Sequence, residues 1–364
     1  VGKKTRRELD FDPTDVLKHI HRLVNRQQSE FSAIFSEQIV PELRTHGIYL
    51  LRRLDLNAEQ RFFVENYFHS NLLPFVQPML LVGQKIRPFL ANAHIYLAVH
   101  LKPKGKPKGR SEYALVKVPS DQTPRFVELP TAGGHFKDII MLDDIVRHSI
   151  SFLFPGYDVQ DTYSIKSTRD AELYIDDEMQ GDLISKVKSS LSKRNVGPAT
   201  RFVYDREMPF HLLDYLQITF GLGKYDLQPE GRYHNNFDFF KFPDFGLQHL
   251  RYKPLPPLPM PELEQTEDYF DLITEKDRMI HLPYQSYEGV IRFFEHAAED
   301  PKVTHIKIIQ YRVGKHSRIL NALIRAVELG KQVSVFVEIK ARFDEATNLE
   351  WGEKLQKAGV RVHY

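Results

Sequence analysis

The sequence contains no cysteine, which excludes a disulfide framework, a thiolate metal site and a cysteine nucleophile. It also lacks an excess of either charge. Fifty basic residues against 48 acidic ones give a formal net charge of +2, so no overall field draws the chain to nucleic acid or to an anionic membrane. Any anion must be held by a local cluster. No apolar run approaches the roughly 18 residues of a membrane span, and the opening Val1-Gly-Lys-Lys-Thr-Arg-Arg7 has no apolar segment of the signal-peptide kind. A glycine-rich loop of the Walker type is missing too, which excludes an ordinary phosphate-loop kinase within this chain. What is present is length: 364 residues at 42% hydrophobic content suffice for two or three domains with ordinary cores. The chain opens on valine and Tyr364 lies inside an apolar alternation, so both ends are expected to be cuts in a longer polypeptide.

Three regions follow from the patterning. From 13 to 72 the apolar positions recur at helical spacing, as in Leu17, Ile20, Leu23 and Val24, then Phe62, Phe63, Tyr67 and Phe68. Asp12-Pro13 and Asn57 stand where helices start, and Pro41 punctuates the middle. Between 73 and 258 short strand-like runs (94–101, 113–118, 125–129, 201–204) mix with helical stretches near 143–153, 177–192 and 210–220, the pattern of an α+β domain. Lys253 to Pro261 then carries five prolines in nine residues, which favours an extended linker. After it the order is regular: a helix from Ser286, as N-cap, to Glu299; a strand from Val303 to Tyr311; a helix through Ile319 and Val327, closed by Gly330; a strand alternating from Val333 to Ile339; a helix over 345–358, ending at Gly359; and a strand beginning at Val360. Strand-helix alternation calls for right-handed crossovers and a parallel sheet with helices on its faces. Such a sheet, ending with its third strand just begun, has an open edge, and the fold is expected to continue beyond Tyr364. The fold class expected is therefore multidomain α/β and α+β, divided as 1–72, 73–258 and 259–364.

Open parallel sheets bind ligands beyond the carboxyl ends of their strands. Arg312 follows the strand ending at Tyr311 and Arg342 follows the strand ending near Lys340, one strand-helix repeat apart, so both should face one crevice. Guanidinium forks suit phosphate oxygens, and Lys315, Arg318 and Lys340 add charge nearby. Taken singly, each arginine could merely pair with Asp344 or Glu345; two at equivalent strand ends point to a shared anion site. In His281-Leu-Pro-Tyr-Gln-Ser-Tyr287, the Ser286 hydroxyl and the helix N-terminus could also hold an anion, or Ser286 could be a plain cap. His281 itself has no partner spacing of a metal site or a triad and reads as structural. Arg169 and Asp170 in Ser167-Thr-Arg-Asp-Ala-Glu172 fit a phosphate or domain-interface contact, or a buried ion pair, equally well. Gly231-Arg-Tyr-His-Asn-Asn-Phe237 reads as a polar turn, and the basic stretch Lys102 to Arg110 as a solvated hairpin tip, with contact to a polyanion as the alternative.

Several of these segments occur together elsewhere. Ile309-Gln-Tyr-Arg-Val-Gly-Lys-His-Ser-Arg-Ile319 and Val337-Glu-Ile-Lys-Ala-Arg-Phe-Asp-Glu345 closely resemble the type-1 polyphosphate kinase family, as do the segments 281–287, 167–172 and 231–235. The resemblance runs over almost the whole chain. It implies the latter part of a helical N-terminal domain, a mixed head domain and the opening of a phospholipase D-like domain. It further implies reversible transfer of the terminal phosphoryl of ATP to inorganic polyphosphate, with Mg2+, through a phosphohistidine that would follow Tyr364. His363 is not that residue. Arg312 and Arg342 match the family's magnesium and phosphate positions, and since arginine has no lone pair for a metal, the resemblance implies contact through phosphate oxygens, with Ser286 and Lys340 as further phosphate-binding candidates. The partners implied are ATP, ADP and polyphosphate, not nucleic acid, in a cytoplasmic homo-oligomer, a dimer or tetramer, with peripheral membrane association at most. This chain alone is expected to be inactive. Two other readings stay open: a phospholipase D-like phosphodiesterase, since fold does not fix function, and an inert polyanion-binding or assembly module.

Overall fold

A computed structural model describes residues 10–81, 88–105, 110–131, 133–169, 184, 185, 187 and 199–364. The chain forms two compact units, residues 1–171 with 195–245, and residues 172–194 with 246–364.

The first unit opens with helix α1, Pro13–Ala33. Asp12 caps it by accepting the Thr14 N–H at 2.7 Å, with Pro13 at the position where a missing N–H costs nothing. Pro41 does not break the helical run. A wider π-helical segment, Ile34–Ile39, leads into helix α2, Val40–Thr45, with Pro41 in its first turn. At Gly47 the chain turns with φ +74°, where a Cβ would approach that of Phe136 to 2.9 Å, so only glycine fits both constraints. Strand β1, Ile48–Leu51, follows, then helix α3, Ala58–Tyr67. A reciprocal capping box between Asn57 and Gln60 starts α3.

Two sheets complete this unit. Six strands, β2 Pro78–Leu80, β3 Ile95–Pro103, β4 Glu112–Lys117, β7 Tyr157–Arg169, β8 Ala199–Asp205 and β9 Leu227–Glu230, lie in the order β2-β4-β3-β7-β8-β9. Only the β8–β9 pair is parallel there. The second sheet joins β1 to β5, Phe126–Leu129, through β6, Lys137–Met141. Alternation along β3 supplies two cores, as period-2 geometry demands. Leu97, Val99 and Leu101 pack with Val64, Phe68 and Ile145, from α3, its continuation and helix α4, Leu142–Ser149. Tyr96 and Ala98 pack with Leu212 and Leu216 of helix α5, Phe210–Phe220. The expected strands and the helices near 143 and 210 lie within a few residues of these elements. The helix expected over 177–192 falls mostly outside the described residues.

In the second unit the proline-rich stretch is irregular up to Met260 apart from a parallel bridge of Leu258 to Gln285, after which Pro261 starts a one-turn helix α6, Pro261–Glu264. Helix α7, Tyr269–Glu275, is capped by Asp268. Helix α8 runs over Glu288–Glu299, strand β10 over His305–Gln310, helix α9 over Arg318–Glu328 and strand β11 over Gln332–Val337. Helix α10, Glu345–Lys357, and strand β12, Arg361–His363, close the sequence. All three strands are parallel, in the order β10-β11-β12. Gly330 and Gly359 end α9 and α10 with φ of +84° and +91°, as their positions in the sequence predict.

One expectation needs correction. Among the described residues the sheet is covered on one face only, where Ile306, Val333, Val335 and Val337 pack under Leu320, Leu323 and Leu355. On the other face Ile309 is 76% and Phe336 45% exposed, beside Lys307 and Arg361. The apolar run of β10 suggested burial on both sides, but an apolar side chain can equally stand on an uncovered face. No described helix is long and apolar enough to cross a membrane.

Candidate functional site

The carboxyl ends of β10 and β11 bring together the loops that carry Arg312 and Arg342. Arg312 Nη2 donates to the main-chain carbonyl of Arg342 at 3.2 Å, spanning 30 residues of sequence. Its Nε lies 3.1 Å from Asp344 Oδ2, and its guanidinium stands 5.3 Å from the Tyr311 ring centroid. Arg342 is exposed and lies over the ring of Phe343, 5.2 Å from its centroid. Thus the local carboxylate partner weighed for each arginine is found for Arg312, in Asp344; Arg342 has no ion pair among the described residues. Lys340 is exposed in the same loop, its backbone N–H held by Glu338 at 2.8 Å.

Beneath these loops sits a side chain that sequence reasoning did not single out. Asn348, in α10 and 0% exposed, donates to the carbonyls of Tyr311 at 2.7 Å and Glu338 at 2.8 Å. Its Oδ1 accepts from Gln310 Nε2 at 3.1 Å. One amide therefore ties both strand ends to the helix that follows them. Trp351 Nε1 adds a bond to the Gly314 carbonyl at 3.2 Å, fixing the far side of the Arg312 loop. The available signal was an asparagine inside a helix, where its propensity is poor and a side-chain hydrogen-bonding role is the usual reason for it.

Ser286 does not join this group. Helix α8 starts at Glu288 with Tyr287 at the cap position, so the expected cap lies one residue too early. The Ser286 hydroxyl still accepts the Glu288 N–H at 3.2 Å, a local turn bond that sequence spacing does not distinguish from a true cap. It shares no hydrogen bond with Arg312, Arg342 or Lys340. The start of α8 is already served by Glu288, which accepts two bonds from Arg318 Nη1 at 2.9 Å; these hold its carboxyl below the ordinary range. Arg318 is thereby taken by Glu288 and Glu295. His281 is exposed, its ring 5.0 Å from that of Tyr284.

In the first unit the two polar motifs have structural partners. Arg169 donates to the Leu90 carbonyl through Nε and Nη2, at 3.3 and 3.1 Å, and covers the Phe89 ring; Asp170 to Glu172 lie outside the described residues. In the turn after β9, Arg232 and Tyr233 both donate to the buried Asp144, whose pKa is lowered by Arg147 and Arg232 against the effect of burial. Arg125 bridges Asp143, at 2.8 Å, and Asp238, at 3.0 Å, and donates to the His234 carbonyl at 3.2 Å. Of the basic hairpin, residues 106–109 lie outside the described residues.

Among the described residues no cluster of three or more His, Asp or Glu side chains could hold a metal ion, and arginine has no lone pair to offer one. The strand-end residues do not fit direct magnesium ligation. They fit phosphate oxygens, which guanidinium forks and ammonium groups contact without being deprotonated.

Comparison with known proteins agrees with the motifs. Residues 59–242 match the family model of the polyphosphate kinase middle domain, and residues 268–364 that of polyphosphate kinase C-terminal domain 1. Over 361 residues the chain is 39% identical to a polyphosphate kinase of Vibrio vulnificus, covering 96% of this chain and 50% of that protein. It is 37% identical over 356 residues to one from Escherichia coli K12, covering 95% and 51%. The crystal structure of polyphosphate kinase from Porphyromonas gingivalis superposes with a TM-score of 0.80 at 35% identity, over 96% of this chain and 50% of that one. The chain spans about half the length of these relatives. With two family models in order along it and a solved relative of the same fold, the chain belongs to the polyphosphate kinase family.

Proposed function

We propose that the protein this chain belongs to transfers the terminal phosphoryl of ATP reversibly to inorganic polyphosphate, and that Arg312, Arg342 and Lys340 form part of its phosphate-binding wall. The observation that supports this most is the bond from Arg312 to the Arg342 carbonyl, which joins two cation-bearing loops at adjacent parallel strand ends. At such a place, fixed cations stabilise charge on a transferring phosphoryl group with little reorganisation. Magnesium would arrive with the nucleotide as part of the substrate, bound to the phosphate oxygens that the arginines also contact. Asp344 holds Arg312 in place in the meantime and would share it with an incoming phosphate. Ser286, whose hydroxyl accepts the Glu288 N–H, is left out of this wall.

The nucleophile is proposed to be a histidine following Tyr364 in the longer protein, so residues 1–364 alone would bind polyphosphate without extending it. The division at 72 and 258, a homo-oligomeric assembly and a cytoplasmic location belong to the same proposal. Incubating the longer protein with γ-labelled ATP tests it: an acid-labile phosphoenzyme and labelled polymer are expected, both strongly reduced by R312A/R342A. Phosphodiester hydrolysis without ATP dependence would favour the phospholipase D-like reading. Polyphosphate binding with neither activity would favour an inert module.

A further inference from the structure

Away from the strand-end loops, the first unit holds a cavity of about 460 Å³ between the end of α1, the start of α2 and the turn after β9. Its lining combines aromatic rings with guanidinium groups. One wall is aromatic: Phe35 lies against Phe239 with ring centroids 4.7 Å apart, and Phe31 stands 6.3 Å from the same ring. Phe239 in turn packs 6.0 Å from Phe126 of β5, which anchors the wall in a sheet. The lining also carries Arg44, Arg52 and Arg232. Arg44 and Arg52 have no ion-pair partner among the described residues. Arg232 is held by Asp144, while its Nε is buried without a hydrogen-bond partner there.

Two carboxyl groups also line the space and set the charge balance. Asp55 is turned to the backbone N–H of Arg52, at 2.9 Å, and burial raises the pKa of Glu230. Gly231 lets the turn after β9 approach α1 closely, since a Cβ there would stand 3.0 Å from Ser32 Oγ. Small-molecule pockets are concave, partly apolar and of about 300–1000 Å³, with a few convergent polar groups. Guanidinium groups match phosphate, and phenyl rings match a flat heterocycle.

We propose that this cavity binds a nucleoside mono- or diphosphate, with its base against Phe35 and Phe239 and its phosphates on Arg44, Arg52 and Arg232. Inorganic phosphate would leave the aromatic wall unused, and a nucleoside would leave the arginines unused; the nucleotide uses both. Asn236, also in the lining, offers an amide to the base or ribose. The site shares no residue with the strand-end loops and does not depend on the activity proposed above.

Calorimetric titration of ADP into the 364-residue chain tests this, in an R312A/R342A background that removes the strand-end arginines. One ADP per chain is expected, weakened at least tenfold by R44A/R52A and also by Phe239→Leu. Tripolyphosphate should bind this background more weakly than ADP. Arg44 and Arg52 are exposed, so their removal should leave the fold intact, which circular dichroism checks. Absence of ADP binding, unchanged affinity in R44A/R52A, or tripolyphosphate binding as tight as ADP would overturn the proposal.

Discussion

The side-chain amide of Asn348 donates to the main-chain carbonyl of Tyr311 at 2.7 Å, and through that bond α10 holds the residue next to Arg312. The same amide holds Glu338 at the end of β11, so one buried group ties both loops to α10. Asn348→Ala removes it and leaves the buried Gln310 amide and the part-buried carbonyls of Tyr311 and Glu338 short of a partner. A loss of about 2–4 kcal/mol is expected, from the cost of unsatisfied buried polar groups. Urea unfolding measures it, and polyphosphate affinity should fall in the same variant.

Phe343 adopts φ +75° while 69% exposed, a backbone conformation that costs a residue with a Cβ about 1–2 kcal/mol. Its ring carries the Arg342 guanidinium. F343G should therefore leave stability unchanged or higher by up to about 1 kcal/mol, yet weaken polyphosphate binding. F343A should weaken binding without that gain, because it keeps the strained backbone. Parallel denaturation and binding curves separate the two effects.

These two residues show what sequence could and could not tell. Helices α9 and α10 and strands β10 to β12 were legible because apolar spacing and terminal glycines encode them locally. The strand-end positions of Arg312 and Arg342 followed from that order alone. Asn348, by contrast, acts through carbonyls 37 and 10 residues away, and no local pattern marks such a pairing. Nor did spacing show that Arg125 would meet Asp238, 113 residues on, or that Ser286 would fall one position outside its helix. Nor does the nearly continuous apolar run of β10 show that Ile309 stands on an open face of the sheet.

His234 gives a pH dependence with a definite sign. It is buried beside Arg147, Arg125 and Lys166, and burial, with those cations, pushes its pKa down to about 3. In the unfolded chain it would titrate near the ordinary ~6.5. Between those values the unfolded state binds the extra proton, so this contribution is fully present above about pH 6.5 and is lost as pH falls toward 3. Asp205 and Glu230, whose pKa values burial raises, act in the opposite direction, adding stability as pH falls toward the ordinary carboxyl range. The difference between the protein and H234Q isolates the histidine: the variant should lose less stability between pH 7 and 5, read by urea unfolding at each pH.

Arg125 is buried with Asp143 and Asp238 as its ion-pair partners. Arg125→Ala leaves two carboxylates in the interior without their cation and should cost about 3–5 kcal/mol. Since none of these residues lies in the strand-end loops, any soluble R125A protein should bind polyphosphate with unchanged affinity, measured below its unfolding midpoint.

The account rests on Arg312 and Arg342 as phosphate ligands, and binding of polyphosphate to the 364-residue chain at several salt concentrations tests this directly. The double variant R312A/R342A should bind at least tenfold more weakly, with a shallower slope of log affinity against log salt, by roughly 0.7–0.9 for each phosphate that the variant no longer neutralises. Equal affinity and equal slope in the two proteins would contradict the account.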